Sequence, residues 1–144
     1  KTYKPVASEL KNEGKYFMYH NHAAEFRKLD GKIIFERLAE DFSADELGFI
    51  LDTYWVKYGG YDYLEYIKRI GPSRMTNVHF KDMLTEPQGA ICPCGEGTID
   101  FAPVVKLCDD LKIPYALVEQ DNASEMADPF GQVERSIKYI REVL

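Results

Sequence analysis

Tyr16-Phe17-Met18-Tyr19-His20-Asn21-His22-Ala23-Ala24-Glu25-Phe26 is the stretch on which the fold turns. Four apolar or aromatic residues run directly into a burst of metal-capable groups. A short apolar run bounded by polar residues suits a buried parallel strand. The C-terminal ends of such strands carry the chemistry of open and closed α/β folds. Three later stretches repeat the design. Phe49-Ile50-Leu51 ends at Asp52, Asn77-Val78 at His79, and Tyr115-Ala116-Leu117-Val118 at Glu119. One such tip is commonly a hydrogen-bonded structural residue. Four tips carrying His20, Asp52, His79 and Glu119 form a divalent-metal set. Two imidazoles and two carboxylates suit Mn, Zn, Co or Fe(II) over Mg, which prefers oxygen ligands. With both carboxylates ionised and the imidazoles neutral, a dication there has a formal charge of zero, which favours a strong Lewis acid.

Outward from this stretch, Lys1 to Asn12 reads as the end of a helix that Glu13-Gly14 stops. The first strand spans Tyr16 to His20. His22 to Asp30 reads as a functional loop, and Leu29-Asp30-Gly31-Lys32 as a turn. Ile34, Leu38 and Phe42 repeat every fourth position, one face of a helix that starts at Ile33. Leu47 to Leu51 is the second strand and Thr53 to Gly60 its loop. Tyr63, Tyr66, Ile67 and Ile70 mark a third helix, closed by Gly71-Pro72. Thr76 to Phe80 is the third strand, and Lys81 to Asp100 a loop of the length that is usually functional. Phe101 to Leu111 is helical, with Pro103 in its first turn. Tyr115 begins the last strand, Asn122 to Asp128 is loop, and Pro129 to Leu144 a final amphipathic helix. The order is α-(βα)4, with parallel pairing and right-handed crossovers.

The chain of 144 residues is long enough for one domain with a real core. At 45% hydrophobic and 13% aromatic it is not a disordered sequence. It holds no apolar run of the roughly 20 residues a membrane span needs, and no signal-peptide core. A net charge of -6 argues against nucleic-acid binding, which calls for a basic track. Three cysteines are too few for a disulfide framework, so a reducing, cytoplasmic setting is expected. Cys92-Pro93-Cys94 is a weak metal or disulfide signal and reads as two loop thiols. The chain lacks an initiator Met and opens in what looks like mid-element, so a fragment is expected.

Five ordered motifs carry a family resemblance. They are Tyr19-His20-Asn21-His22 with Glu25-Phe26; Leu51-Asp52-Thr53-Tyr54-Trp55; Val78-His79-Phe80-Lys81-Asp82; Gly95-Glu96-Gly97-Thr98-Ile99-Asp100-Phe101; and Val118-Glu119-Gln120-Asp121. Together they resemble the sugar phosphate isomerase/epimerase family, the xylose isomerase-like TIM barrels, over essentially the whole chain. The resemblance implies a (β/α)8 barrel with a divalent metal at the ends of its fifth to eighth strands. Such a barrel takes about 250 residues, so residues 1–144 resemble its C-terminal half. The family's usual ligands are Glu, Asp, His and Glu. Asp52, His79 and Glu119 fall on the last three, and His20 stands where many members carry Glu.

The resemblance implies a metal-dependent isomerase or epimerase acting on a keto-sugar or polyol-like substrate through an enediolate. Glu119 or Glu25 takes the carbon-bound proton, and Lys81 helps to stabilise the charge that develops. Loss of a β-substituent would make the same chemistry a lyase or dehydratase. Glu25 reads either as a ligand reaching in from its loop or as the base. His22, two residues after His20, contacts substrate, and Trp55 stacks on a sugar face. Glu96, between two glycines, serves as a substrate-contacting lid. Asp82, Gln120 and Asp121 read as partners of the ligands. The remaining tyrosines read as core. The rival functions are a nuclease of the same superfamily, disfavoured by the acidic balance, and a non-catalytic sugar-binding half-barrel. Four βα units leave the first and last strands as unpaired edges. The expected partner is therefore the missing N-terminal half or a second copy of the chain.

Overall fold

The computed structural model describes residues 3–87 and 89–144. Its centre is a four-stranded parallel sheet of β1 (Met18–His20), β2 (Gly48–Asp52), β3 (Met75–Phe80) and β4 (Tyr115–Val118), ordered β1-β2-β3-β4. Neighbours in sequence are neighbours in space, as expected for consecutive βα units. The helices are α1 (Lys4–Asn12), α2 (Ile34–Asp41), α3 (Thr53–Tyr58), α4 (Tyr63–Ile70), α5 (Ala102–Leu111) and α6 (Pro129–Val143).

Helix ends follow local chemistry. Asp62 accepts hydrogen bonds from the backbone N–H groups of Leu64 and Glu65 to start α4, and Asp128 accepts one from Gly131 to start α6. Pro103 stands in the first turn of α5, where a missing N–H costs nothing. The Asp30-Gly31 turn closes a small hairpin, Lys28–Leu29 against Lys32–Ile33. Both turn residues have positive φ (52° and 80°), which suits a tight hairpin turn.

Alternate strand residues face the helices. Phe49, Leu51, Val78 and Phe80 pack with Phe35, Val56, Ile67, Phe101 and Val104 in one core, each large side chain contributing about 1.5–3 kcal/mol on burial. A register shift between Phe49 and Ile50 sets one extra β3 residue against β2. It lets Met75 join the core while Asn77 and His79 stay in phase with Ile50 and Asp52. At the end of the sheet away from the strand tips, the Arg74 guanidinium donates to the carbonyls of Ala39, Phe42 and Leu47. That clamp ties the end of α2 to the start of β2.

Two expectations for loops are corrected. Thr53 to Gly60 is largely helical, because the Asp52 carboxylate caps α3 through the Trp55 N–H at 3.1 Å. The run Thr-Tyr-Trp-Val-Lys-Tyr is poor in helix formers, so propensity alone conceals it. The loop from Lys81 to Asp100 contains an antiparallel ladder, Asp82–Met83 with Ile91–Cys92. The first strand begins at Met18 rather than Tyr16, and Phe42 lies one residue past α2 with its side chain still buried. The tyrosines divide: Tyr66 is core, whereas Tyr3, Tyr58 and Tyr115 are exposed. All three cysteines are free and buried.

Candidate metal centre

The strand tips converge because the sheet is sheared. His20 pairs with Ile50, two residues short of Asp52; Asp52 pairs with His79; and His79 pairs with Leu117, two residues short of Glu119. The four positions therefore climb by four residues across four strands. A closed eight-stranded barrel has a shear of about eight, so half of one climbs by about four. Residues at one height around the axis are then the four tips rather than four ladder partners.

Each of His20, Asp52, His79 and Glu119 offers one ligand atom, and all four atoms lie within 4.8 Å of one another. His20 Nε2 is 3.5 Å from Asp52 Oδ2 and 4.0 Å from Glu119 Oε2, while His79 Nδ1 hydrogen-bonds to Glu119 Oε2. His20 Nε2 and Asp52 Oδ2 are buried without a hydrogen-bond partner. The Lys81 ammonium is 3.0 Å from Asp52 Oδ2, an ion pair by distance without the alignment of a hydrogen bond. A buried polar atom left in this state costs about 1–3 kcal/mol. Ligands held at about 2.1 Å from one ion lie within about 4.2 Å of each other, so small side-chain shifts would bring this set around a metal. The residues fit a divalent ion.

Lys81 sits beneath this cluster with its side chain 1% exposed. Its Nζ lies 3.0 Å from Asp121 Oδ2, to which it donates, and 3.6 Å from Glu119 Oε1. The rings of Trp55 and Tyr54 flank it at 5.3 and 5.9 Å. Burial alone would lower the Lys81 pKa; Asp52, Asp121 and Glu119 outweigh it and hold the ammonium above its ordinary value. Burial alone would likewise raise Glu119, but the hydrogen bond from His79 and the charge of Lys81 hold it below the usual carboxylate range. Asp52 is held from both sides: its N–H donates to Asn21 Oδ1 at 3.0 Å, and its Oδ1 caps α3.

The other expected site residues divide. His22 and Trp55 lie at the cluster's rim, their rings 5.3 Å apart, with His22 5.0 Å from His20. The Trp55 indole N–H is buried without a partner. Glu25 stands outside the four-residue set: Tyr19 Oη donates to one of its oxygens at 2.8 Å and the His22 N–H to the other at 2.7 Å. Glu96 accepts from Arg135 Nε at 2.6 Å, on an exposed turn over α6. Gln120 Nε2 donates to Asn122 and Gln132.

Asp82 is the residue whose part sequence reasoning missed. It is fully buried, and its carboxylate accepts four backbone N–H groups: Met83 at 2.7 Å and Gly95, Gly97 and Ile99 each at 3.0 Å. The glycines of Gly95-Glu96-Gly97 were the available signal. A Cβ on Gly97 would fall 2.3 Å from Asp82 Oδ1, and one on Gly95 would fall 2.4 Å from the Tyr139 ring. The motif lets the backbone wrap a carboxylate of its own chain.

Among known proteins, the model of the xylose isomerase-like TIM barrel family matches residues 1–143. An inosose dehydratase of Clostridium perfringens is 29% identical over 150 residues, covering 92% of this chain and 49% of that protein. One from Klebsiella pneumoniae is 33% identical over 119 residues, covering 68% of this chain and 40% of that protein. The chain thus spans about half the length of the curated relatives it matches. A solved sugar phosphate isomerase/epimerase from Parabacteroides distasonis superposes with a TM-score of 0.84 at 24% identity, over 98% of this chain and 50% of that one. That likeness concerns the fold. No helix among the described residues is long and apolar enough to cross a membrane.

Proposed function

The chain belongs to the xylose isomerase-like TIM-barrel family, and from that premise we propose that it supplies the metal-binding half of an enzyme that dehydrates a keto-polyol. The observation that carries this reading is the convergence of His20, Asp52, His79 and Glu119, with His20 Nε2 and Asp52 Oδ2 buried and outside any hydrogen bond. The curated relatives are named inosose dehydratases, which supports water loss over isomerisation or epimerisation as the outcome.

A divalent ion held by these four residues would supply a Lewis acid for a carbonyl and its neighbouring hydroxyl. Glu119, part-exposed and held ionised, takes the proton from the carbon beside the carbonyl in this reading. Lys81 offsets the charge of Asp52 and Glu119 and so limits the penalty of building further negative charge beside them. Glu25, with both oxygens engaged, orients the His20–His22 turn. His22 and Trp55 line the rim; in this reading a polyol ring rests on them and His22 gives the departing hydroxyl its proton. One carbon–hydrogen and one carbon–oxygen bond break, and one water leaves. Isomerisation or epimerisation follows from the same proton removal when reprotonation replaces elimination.

Residues 1–144 act as the C-terminal half-barrel. The β1 and β4 edges and the inward-facing Tyr115 and Leu117, 66% and 48% exposed, pack against a complementary half, either the N-terminal part of the same protein or a second copy. Free buried thiols accord with a reducing, cytoplasmic setting. Elemental analysis of the purified protein, followed by incubation with an inosose in deuterated water, tests the reading. Stoichiometric Mn, Zn or Co, deuterium exchange at carbon and appearance of an unsaturated ketone are expected. Absence of metal binding at micromolar concentration would overturn it.

A further inference from the structure

Lys81 presents a difficulty for the metal set. Its ammonium lies against Asp52 Oδ2, an oxygen that a metal would need, and near Glu119 Oε1. A fixed cation in that place competes with an ion for the same carboxylates. One more carboxylate touches it: Asp121, exposed, accepts a hydrogen bond from Lys81 Nζ at 3.0 Å. Asp121 follows Glu119 by two on the segment leaving β4, and it lies outside the converging ligand set. The Trp55 and Tyr54 rings flank the Lys81 ammonium at 5.3 and 5.9 Å.

We propose that Asp121 is a positioning residue that anchors the Lys81 ammonium and thereby frees the Asp52–Glu119 pair for a divalent ion. The proposal rests on the metal-dependent reading of the same site. With Asp121 in place, Lys81 keeps a hydrogen-bonded carboxylate of its own when Asp52 and Glu119 turn to an ion. Without it, the buried ammonium has only those two, and releasing either leaves a desolvated charge unpaired, the costly state for a buried ion. Asp121 therefore acts on the metal through Lys81. Groups that support metal ligands from behind in this manner typically change affinity 10–100-fold.

A double-mutant cycle read by metal affinity, with Mn or Zn titrated against a competing chelator, tests the idea. Asp121→Asn is expected to weaken binding about tenfold, and Asp121→Glu to restore most of it. Lys81→Met removes the competitor, so in that background Asp121→Asn should change affinity by less than about twofold. Unfolding midpoints confirm that each variant folds. Equal affinity of wild type and Asp121→Asn would overturn the proposal. So would an equal loss in both backgrounds, which would mean that Asp121 attracts the ion by its own charge. Should Lys81→Met fail to fold, the Asn and Glu variants alone decide, since loss in Asn without rescue by Glu also counts against it. Failure of the wild-type chain to bind either metal would instead sink the metal-dependent reading.

Discussion

Two aspartates of this chain are fully buried and differ in what surrounds them. Asp52, at the tip of β2, has one oxygen capping α3 and the other unpartnered by any hydrogen bond, facing the cluster of histidines and Glu119. Asp82, thirty positions later by its number, has both oxygens saturated by four backbone N–H groups from its own loop. A saturated buried carboxylate stabilises structure, because it satisfies donors that would otherwise be stranded. An under-satisfied one costs stability and keeps an oxygen that an ion can take once Lys81 yields it. The contrast separates the framework of the strand-tip face from its chemistry.

The largest expected effect tests the framework side. Asp82→Ala strands four amides and should lower unfolding free energy by about 3–5 kcal/mol, measured by denaturant titration. Cys92 and Cys94 report on the same loop. Burial pushes both thiols up to about 12, so at pH 8 a disulfide reagent should leave them untouched in the native protein and label them readily in this variant. Unchanged stability would erase the distinction.

Asp52→Ala should reverse the pattern. Metal affinity is expected to fall at least about 100-fold, or about 2.7 kcal/mol, by isothermal titration. The loss of the α3 cap should cost only about 1 kcal/mol of stability. A collapse of the melting temperature in metal-free buffer would place Asp52 with Asp82 instead.

Gly97→Ala sharpens the comparison from the backbone side, since the new methyl would meet Asp82 Oδ1 and the Met83 carbonyl oxygen at 2.3 and 2.7 Å. About 2 kcal/mol of destabilisation is expected, with metal affinity unchanged. The smallest effect belongs to Glu96→Gln. Its bridge to Arg135 is solvent-exposed, so stability should move by less than about 0.5 kcal/mol. A large fall in substrate turnover with this variant would support the lid role expected of Glu96.

The strand tips were legible because each is a local pattern, an apolar run meeting one ligand-type residue. His20, Asp52, His79 and Glu119 could be grouped before any geometry was known. Their common height was not legible, because it depends on ladder offsets such as His20 with Ile50 and His79 with Leu117. Helix α3 was hidden for a related reason: aromatic and β-branched residues fold there under a cap and tertiary burial. Glu25 reads in sequence as a ligand or a base, and Glu96 as a substrate-contacting lid. Tyr19 and Arg135, which engage them, are unremarkable in sequence.

By itself the sequence determined the alternation of strands and helices, the acidic balance and the residue types at the four tips. These depend on periodicity and composition, which a linear chain displays directly. Only the tertiary structure decided which carboxylates stay free and which are consumed. Asp82 meets Gly97 across 15 positions, and Lys81 meets Asp121 across 40. Whether a buried charge is a ligand or a brace depends on the donors that reach it, and those arrive from distant parts of the chain.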